Sequence, residues 1–234
     1  MPGDSRQVYG WNDVATPDAA AIDAHIKRAD FILVRHTHYD HVLDVPHIAL
    51  KTYATVIGTE STENVARAYN VPEEQLITVR GGEDCEFGVF SIKVIPSLHS
   101  ALDHKRYFSS EKAREGMKAP LTLLQIHPEG GTLAYLLRFH GSQILVFGGM
   151  NYIEREMEGI RPDVVLVGAG SSRREIHDYT GRLELSSVGA ADSLGQFPGP
   201  LWSDPAACHR SSAILRGGSQ SGFAKEQGDC AQVL

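Results

Sequence analysis

The 234-residue sequence has few cysteines, no strongly basic stretch and no long apolar run. Cys85, Cys208 and Cys230 form no CxxC pair, so we expect neither a disulfide framework nor a cysteine-based zinc site. No run of five or more basic residues occurs and the formal net charge is −7, which gives no support for a nucleic-acid partner. No apolar run approaches the roughly 18 residues of a membrane span. Internal repeats are absent as well.

The composition predicts one folded domain and a tail. Hydrophobic residues make up 42% of the chain, which is enough for a core. Residues 1–182 are expected to form an α/β domain. In residues 183–234 Ser, Gly, Ala and Pro dominate without periodicity, which predicts a linker or a disordered tail. No secretory signal is recognisable at the start, so a cytoplasmic location is expected unless an upstream signal is missing.

The hydrophobic pattern alternates between short strands and helices. Thr16-Pro17-Asp18 predicts the start of a helix that runs to about Arg28. Residues 101–120 are polar and charged, which predicts a long insertion that acts as a lid over one face. The predicted strands are 31–34, 54–57, 76–79, 89–95, 132–139, 143–147 and 164–167, and the further predicted helices are 42–51, 59–69 and 153–158.

Three histidines and an aspartate follow the first predicted strand within six residues. They form the pattern His36-x-His38-x-Asp40-His41. Side chains at i and i+2 leave the same face of an extended chain, so His36 and His38 can converge on one ion. Neutral imidazole and carboxylate are ligands that zinc and similar divalent metals prefer. This loop therefore predicts a metal site, to which Asp40 and His41 add a second ion or orient the first.

Other polar residues carry weaker signals. His99 directly follows the strand predicted at 89–95. His104, Lys105 and Arg106 could bind an anionic substrate, although a solvated loop is the simpler interpretation. His177 could serve as a further metal ligand, but a surface position is the simpler interpretation for it. Five histidines are interpreted as structural or surface residues: His25, His47, His127, His140 and His209.

The histidine loop resembles the signature of the metallo-β-lactamase superfamily, and within it the group that includes ascorbate-6-phosphate lactonase-like hydrolases. The resemblance extends from about Trp11 to Leu183, with His99 and Gly148-Gly149 in the expected order. It implies a four-layer αββα sandwich with the metal site at one edge of two sheets. It also implies that residues 1–182 are the hydrolase domain.

The resemblance implies a ligand set and exposes departures from it. His36, His38 and His99 would hold the first metal, and Asp40 and His41 the second. The superfamily has a bridging aspartate after the Gly-Gly strand end, where this chain has Met150 and Asn151. A thioether is a poor ligand for such ions, whereas Asn151 could offer a neutral carbonyl oxygen. One or two ions are expected: zinc, with manganese or iron as alternatives.

Both ends of the chain also depart from the superfamily pattern. The paired strands that usually precede the first helix are missing, so we expect an N-terminal truncation. The usual final histidine, in Thr-His-Trp-Asp, is missing too. Codons GAC TCA CTG GGA CAA TTT would encode residues 192–197, and one nucleotide later they read Thr-His-Trp-Asp-Asn. We hypothesise a frameshift from about Leu183, which the gene's nucleotide sequence would test.

Two functions remain open from the sequence. The first is a metal-dependent hydrolase, in which a metal-bound hydroxide attacks an ester, lactone, amide or phosphodiester bond of a small substrate and Asp40 orients the nucleophile or shuttles its proton. Zinc lowers the pKa of bound water from about 15.7 to about 7. The second is an inactive remnant of the superfamily that binds one metal or none. The sequence leaves the oligomeric state open.

Overall fold

A computed structural model describes residues 9–99, 111–147 and 151–168, and the backbone of residues 189–191. Within these residues the helices are α1 (Ala19–His25), α2 (Tyr39–Val42), α3 (Val45–Thr52), α4 (Glu60–Ala68) and α5 (Glu154–Met157), with a 3₁₀ turn at Glu73–Gln75. The strands are β1 (Phe31–Leu33), β2 (Thr55–Gly58), β3 (Leu76–Thr78), β4 (Asp84–Glu86), β5 (Phe90–Ser97), β6 (Thr132–Phe139), β7 (Ser142–Phe147), β8 (Val164–Gly168) and β9 (Gly189–Ala191). No helix in these ranges is long and apolar enough to cross a membrane.

The first helix starts later and ends earlier than its sequence signals predict. The side chain of Asp18 accepts a hydrogen bond from the Ala21 amide at 2.9 Å, so the N-cap is Asp18, two residues after the Thr16 at which the predicted helix begins. The helix ends before Ile26, whose backbone is extended.

The strands form two sheets. β1, β2 and β3 make a three-stranded parallel sheet, in which Ile32 pairs with Val56. β4 to β9 make a six-stranded sheet in sequence order, antiparallel from β4 to β7 and parallel from β7 to β9. β6 and β7 form a hairpin, and its turn residues His140 and Gly141 both have positive φ.

Strand alternation sorts the core into three layers of contact. The outer face of the small sheet, with Val34 and Val56, packs on α1, α3 and α4. Its inner face, with Leu33 and Ile57, meets Val94 and Tyr135 of the large sheet. The other face of the large sheet, with Phe147 and Val165, packs on Met157 of α5. Because successive strand residues point to opposite faces, one alternating pattern builds helices, sheet, sheet and helix in that order.

A buried tyrosine connects the two sheets. Tyr135 of β6 is 1% exposed, and its hydroxyl donates toward the carbonyl oxygens of Val34 at 2.7 Å and Ile57 at 3.3 Å. Burial raises the pKa of Tyr135. This contact lies directly beside the point where β1 ends and the histidine loop begins, so it helps to fix where the loop leaves the sheet.

Residues 111–120, the described half of the predicted lid, pack on α4. Asn64 donates to the Ala113 carbonyl at 3.0 Å, and the Ala113 amide donates to Ser61 Oγ at 2.8 Å. Ala113 is 2% exposed. This part of the segment is therefore anchored to the helix; residues 101–110 lie outside the described ranges, and the lid stays a prediction.

The strand β9 lies inside the segment that the sequence predicts to be a tail. It pairs in parallel with β8, Leu166 opposite Gly189. Its sequence, Gly-Ala-Ala, has little strand preference of its own, so its conformation comes from pairing with the sheet edge. The rest of residues 183–234 lies outside the described residues, so the predicted disorder and frameshift stay predictions.

Candidate metal centre

Backbone hydrogen bonds from both sheets hold the histidine loop in place. The Val34 amide donates to the Ile57 carbonyl at 2.9 Å, and the Leu133 amide donates to the Arg35 carbonyl at 2.8 Å. Further along the loop, the Thr37 amide donates to the Glu129 carbonyl at 2.9 Å. The backbone is therefore fixed at residues 35 and 37, which leaves the side chains at 36 and 38 to share one direction.

Three histidines meet just beyond the ends of β1 and β5. One ring nitrogen from each of His36, His38 and His99 lies within 4.8 Å of the other two. His38 Nδ1 and His99 Nε2 are 3.1 Å apart, and the three ring centroids are 4.6 to 4.7 Å from one another. Both β1 and β5 end at this point, so the two sheets contribute ligands to the same place. The structure brings together the three residues that the sequence assigns to a first metal.

The electrostatics of the cluster suit a divalent cation. Burial lowers the pKa of His36 well below its ordinary value and that of His38 to about 4. Both imidazoles are therefore neutral at neutral pH, which is the form that binds metals. Among the described residues, both ring nitrogens of His36 are buried without a hydrogen-bond partner. Three imidazoles with converging nitrogens fit a catalytic zinc site or a related divalent site.

Asp40 and His41 lie beside the three histidines, on the short helix α2. His41 Nε2 is 3.4 Å from Asp40 Oδ2, and the His41 ring centroid is 4.1 Å from that of His36. Burial lowers the pKa of His41, and the Asp40 carboxylate opposes that shift. Within the described residues, neither belongs to the compact ligand group of His36, His38 and His99. Their predicted role at a second metal stays a prediction.

The side chain of Asn151 contacts the backbone of His99. Its Nδ2 donates to the His99 carbonyl at 2.8 Å, so the side chain holds the segment that carries a candidate ligand. The predicted metal contact of its carbonyl oxygen stays a prediction. Several other predicted residues lie outside the described ranges: Gly148, Gly149, Met150, the substrate-binding set His104, Lys105 and Arg106, and His177.

Arg35 is a supporting residue that the sequence did not single out. Its side chain is 7% exposed, and Nη2 donates to the Leu98 carbonyl at 3.1 Å. Burial lowers its pKa to about 10, while the charges of Glu129 and Asp40 act in the opposite direction, so it is cationic at neutral pH. Arg35 thus ties the His36–His38 loop to the residue before His99. Its position just before the histidine motif was the available signal.

His127, interpreted from the sequence as a structural or surface residue, packs against the centre. Its ring stacks on that of His38 with a centroid distance of 5.0 Å and an interplanar angle of 10°. On another side, the Trp11 ring is 4.6 Å away. His127 precedes β6 by several residues and follows no strand, so its spacing carries no ligand signal. Only the fold reveals that it belongs to this region.

The comparison with protein families identifies the group. Residues 10–194 match the family described as Beta-lactamase superfamily domain, which is most of the chain. The chain belongs to this superfamily. Its layer order confirms the predicted αββα sandwich, and His36, His38 and His99 meet where strands of both sheets end.

The curated relatives align with only part of this chain. A UPF0173 metal-dependent hydrolase from Flavobacterium johnsoniae is 34% identical over 85 residues, 36% of this chain and 36% of the relative. A hydroxyacylglutathione hydrolase from Brucella anthropi is 34% identical over 105 residues, 43% of this chain and 38% of the relative. The chain thus spans less than half the length of these curated relatives. An isothiocyanate hydrolase from Delia radicum gut bacteria has a TM-score of 0.47 at 12% identity, with 70% of this chain and 62% of that chain covered.

Proposed function

We propose that this chain is a metal-dependent hydrolase that binds its first ion through His36, His38 and His99. The observation that carries the proposal is the convergence of three imidazoles, with ring nitrogens within 4.8 Å, at the end of two sheets. Both ring nitrogens of His36 are buried without a partner in the described part of the chain. A buried polar atom without a partner is costly, and an ion bound by one of these two nitrogens would remove that cost for it.

The ion supplies the chemistry and the chain positions it. When bound, a zinc, manganese or iron ion lowers the pKa of a water molecule, to about 7 for zinc, and polarises the substrate oxygen. Asp40 is proposed to accept the proton or to orient the nucleophile, with His41 at 3.4 Å to hold the carboxylate. Arg35 and Asn151 hold the backbone on either side of His99. Asp40 and His41 are proposed as ligands for a second ion, with the Asn151 oxygen as a weaker addition.

The proposed substrate is a small molecule with an ester, lactone, amide or phosphodiester bond. Two supports are the relatives named as metal-dependent hydrolase and hydroxyacylglutathione hydrolase. The finer proposal is the ascorbate-6-phosphate lactonase-like group, from the histidine motif and its partners in order. His104, Lys105 and Arg106 are proposed to meet an anionic substrate group, and the proposed location is the cytoplasm.

An inactive remnant is the second candidate, favoured by the missing final histidine and by Met150 and Asn151. These two residues stand where the superfamily has a bridging aspartate, and the side-chain nitrogen of Asn151 already donates to the His99 carbonyl. A neutral amide cannot supply the bridging negative charge that two adjacent cations require. Metal analysis of protein purified without added metal separates the candidates. About two equivalents per chain would exclude the remnant, and no metal after zinc reconstitution would exclude the enzyme.

A point substitution tests the loop itself. We expect His38→Ala to abolish hydrolysis across a panel of lactone, ester, thioester and phosphodiester substrates and to weaken zinc binding, because it removes one of three ligands. His25→Ala is the matched control, since His25 is exposed at the end of α1 and should leave both unchanged. Unchanged turnover in His38→Ala would remove this loop from the mechanism.

A further inference from the structure

Three aromatic rings lie in a row that ends at the metal centre. His127 stacks on His38 with an interplanar angle of 10°, and the Trp11 ring lies 4.6 Å from His127 at 58°. Offset stacking and tilted contacts at these distances are favourable arrangements for aromatic pairs. The His38 ring is oriented so that its Nδ1 lies 3.1 Å from His99 Nε2. The row therefore sits behind the face of one candidate ligand.

The backbone holds this row together from both sides. Residues 11–15 and 121–124 are joined by three hydrogen bonds: Ala15 amide to Leu121 carbonyl at 2.9 Å, Leu123 amide to Asp13 carbonyl at 3.0 Å, and Leu124 amide to Trp11 carbonyl at 2.8 Å. Leu121 and Ile126 are buried and anchor that segment in the core. Two residues after His127, the Glu129 carbonyl accepts the Thr37 amide of the histidine loop. Trp11, His127 and His38 are thus fixed relative to one another.

The orientation of His127 distinguishes support from ligation. The lone pair of an imidazole nitrogen lies in the ring plane, so a ring parallel to His38 does not direct a nitrogen across the stacked face. The compact ligand group found among the described residues contains His36, His38 and His99 without His127. His127 Nδ1 is buried and has no hydrogen-bond partner in the described ranges, so packing rather than a bond from that atom holds the ring.

We infer that Trp11 and His127 form an aromatic clamp that positions the His38 ring for metal binding. The inference rests on the proposed function, because it concerns how tightly the three histidines hold an ion. His38 needs a defined ring rotation for its ligand nitrogen to meet the others, and stacking restricts that rotation. His127 is accordingly a positioning residue, and Trp11 supports it from the solvent side, where its own side chain is 55% exposed.

The test compares a substitution that removes the stacked face with one that keeps it. His127→Ala removes the ring, whereas His127→Phe keeps an aromatic face without ring nitrogens. Zinc affinity at about pH 7.5 is measured by competition with a chromogenic chelator, and the visible absorption of the cobalt-substituted protein reports ligand geometry. We expect His127→Ala to weaken zinc binding by about two- to tenfold and to alter the cobalt spectrum, which corresponds to the loss of one aromatic pair. His127→Phe is expected to stay within about twofold of the wild type.

The outcomes separate this inference from the proposed function. If the wild type binds no zinc, the proposed function and the clamp both fail. If the wild type binds zinc and His127→Ala binds it equally well, the clamp alone is wrong. Equal weakening in His127→Ala and His127→Phe would also overturn it, because a ring nitrogen and not the stacked face would then matter. His25→Ala is the control, and thermal unfolding of each metal-free variant shows whether a loss of affinity is a loss of fold.

Discussion

Gly130 lies where the segment 111–120, α4 and the histidine loop meet, and we expect its replacement by alanine to be strongly destabilising. A Cβ at this position would lie 2.2 Å from Ser61 Cβ and 3.1 Å from Thr37 Oγ1. Ordinary contacts between carbon atoms are about 3.5–4.0 Å. Ser61 cannot move away easily, since it is 0% exposed and its Oγ accepts the Ala113 amide. The substitution must therefore displace α4, the segment 111–120 or Thr37.

The expected magnitude has two parts. Gly130 has a φ of +72°, and a side chain in the left-handed region costs about 1–2 kcal/mol. Overpacking of a rigid core adds about 1–3 kcal/mol. Gly130→Ala should thus lower the free energy of unfolding by about 2–5 kcal/mol, a large part of the about 5–15 kcal/mol of a typical domain. Thr37 stands between His36 and His38, so zinc affinity should fall as well.

A second glycine separates strain from overlap. Gly116 has a φ of +74°, and no atom lies within 4 Å of the position that a Cβ would take there, so Gly116→Ala carries the backbone strain alone. Urea unfolding of the two metal-free variants, beside the wild type, gives the difference directly. We expect Gly130→Ala to lose about 1–3 kcal/mol more than Gly116→Ala. If the two losses are equal, the close packing of Gly130 on Ser61 and Thr37 is refuted.

Two further predictions concern pH and the connection between the sheets. Burial lowers the pKa of His38 from its ordinary 6.5 to about 4, so the unfolded chain binds more protons than the folded chain between these two pH values. The metal-free protein should therefore lose stability as the pH falls through this window. For this one group we expect a loss of about 2 kcal/mol between about pH 7.5 and pH 5. Urea unfolding at the two pH values measures this, and a slope unchanged in His38→Asn would contradict it. Tyr135→Phe should cost about 1–2 kcal/mol in the same assay, because the Val34 carbonyl loses its buried donor; no loss would show that the hydroxyl does not bind there.

The sequence predicted the parts of the fold that carry strong alternation. β1, β5, β6 and β7 all appear within a few residues of the predicted ranges, since apolar residues there face two buried layers. The helix α2 was missed because four residues are too few for a helical period. β4 was missed as well, because Asp84 and Glu86 have little strand preference. This edge strand forms through its pairing with β5.

The residues of the site likewise divide into those with a local signal in the sequence and those without one. His36, His38 and His99 were found from the sequence, because each follows a strand and strand ends are local signals. His127 and Trp11 were not, because their approach to His38 depends on hydrogen bonds between segments more than 100 residues apart, such as Leu124 to Trp11. Contacts of that range follow from the three-dimensional arrangement, and no spacing in the chain predicts them.

His38 and His99, which meet where β1 and β5 end, are 61 residues apart in sequence. An ion held by His38 and His99, as proposed, would therefore act as a removable cross-link that closes a long chain loop, comparable in topology to a disulfide. In the chain-entropy view, closure of a long loop disfavours the unfolded chain more than closure of a short one. Because His36 and His38 follow the small sheet and His99 follows the large one, the three rings meet only where the two sheets are docked, and metal affinity should therefore depend on the intact fold.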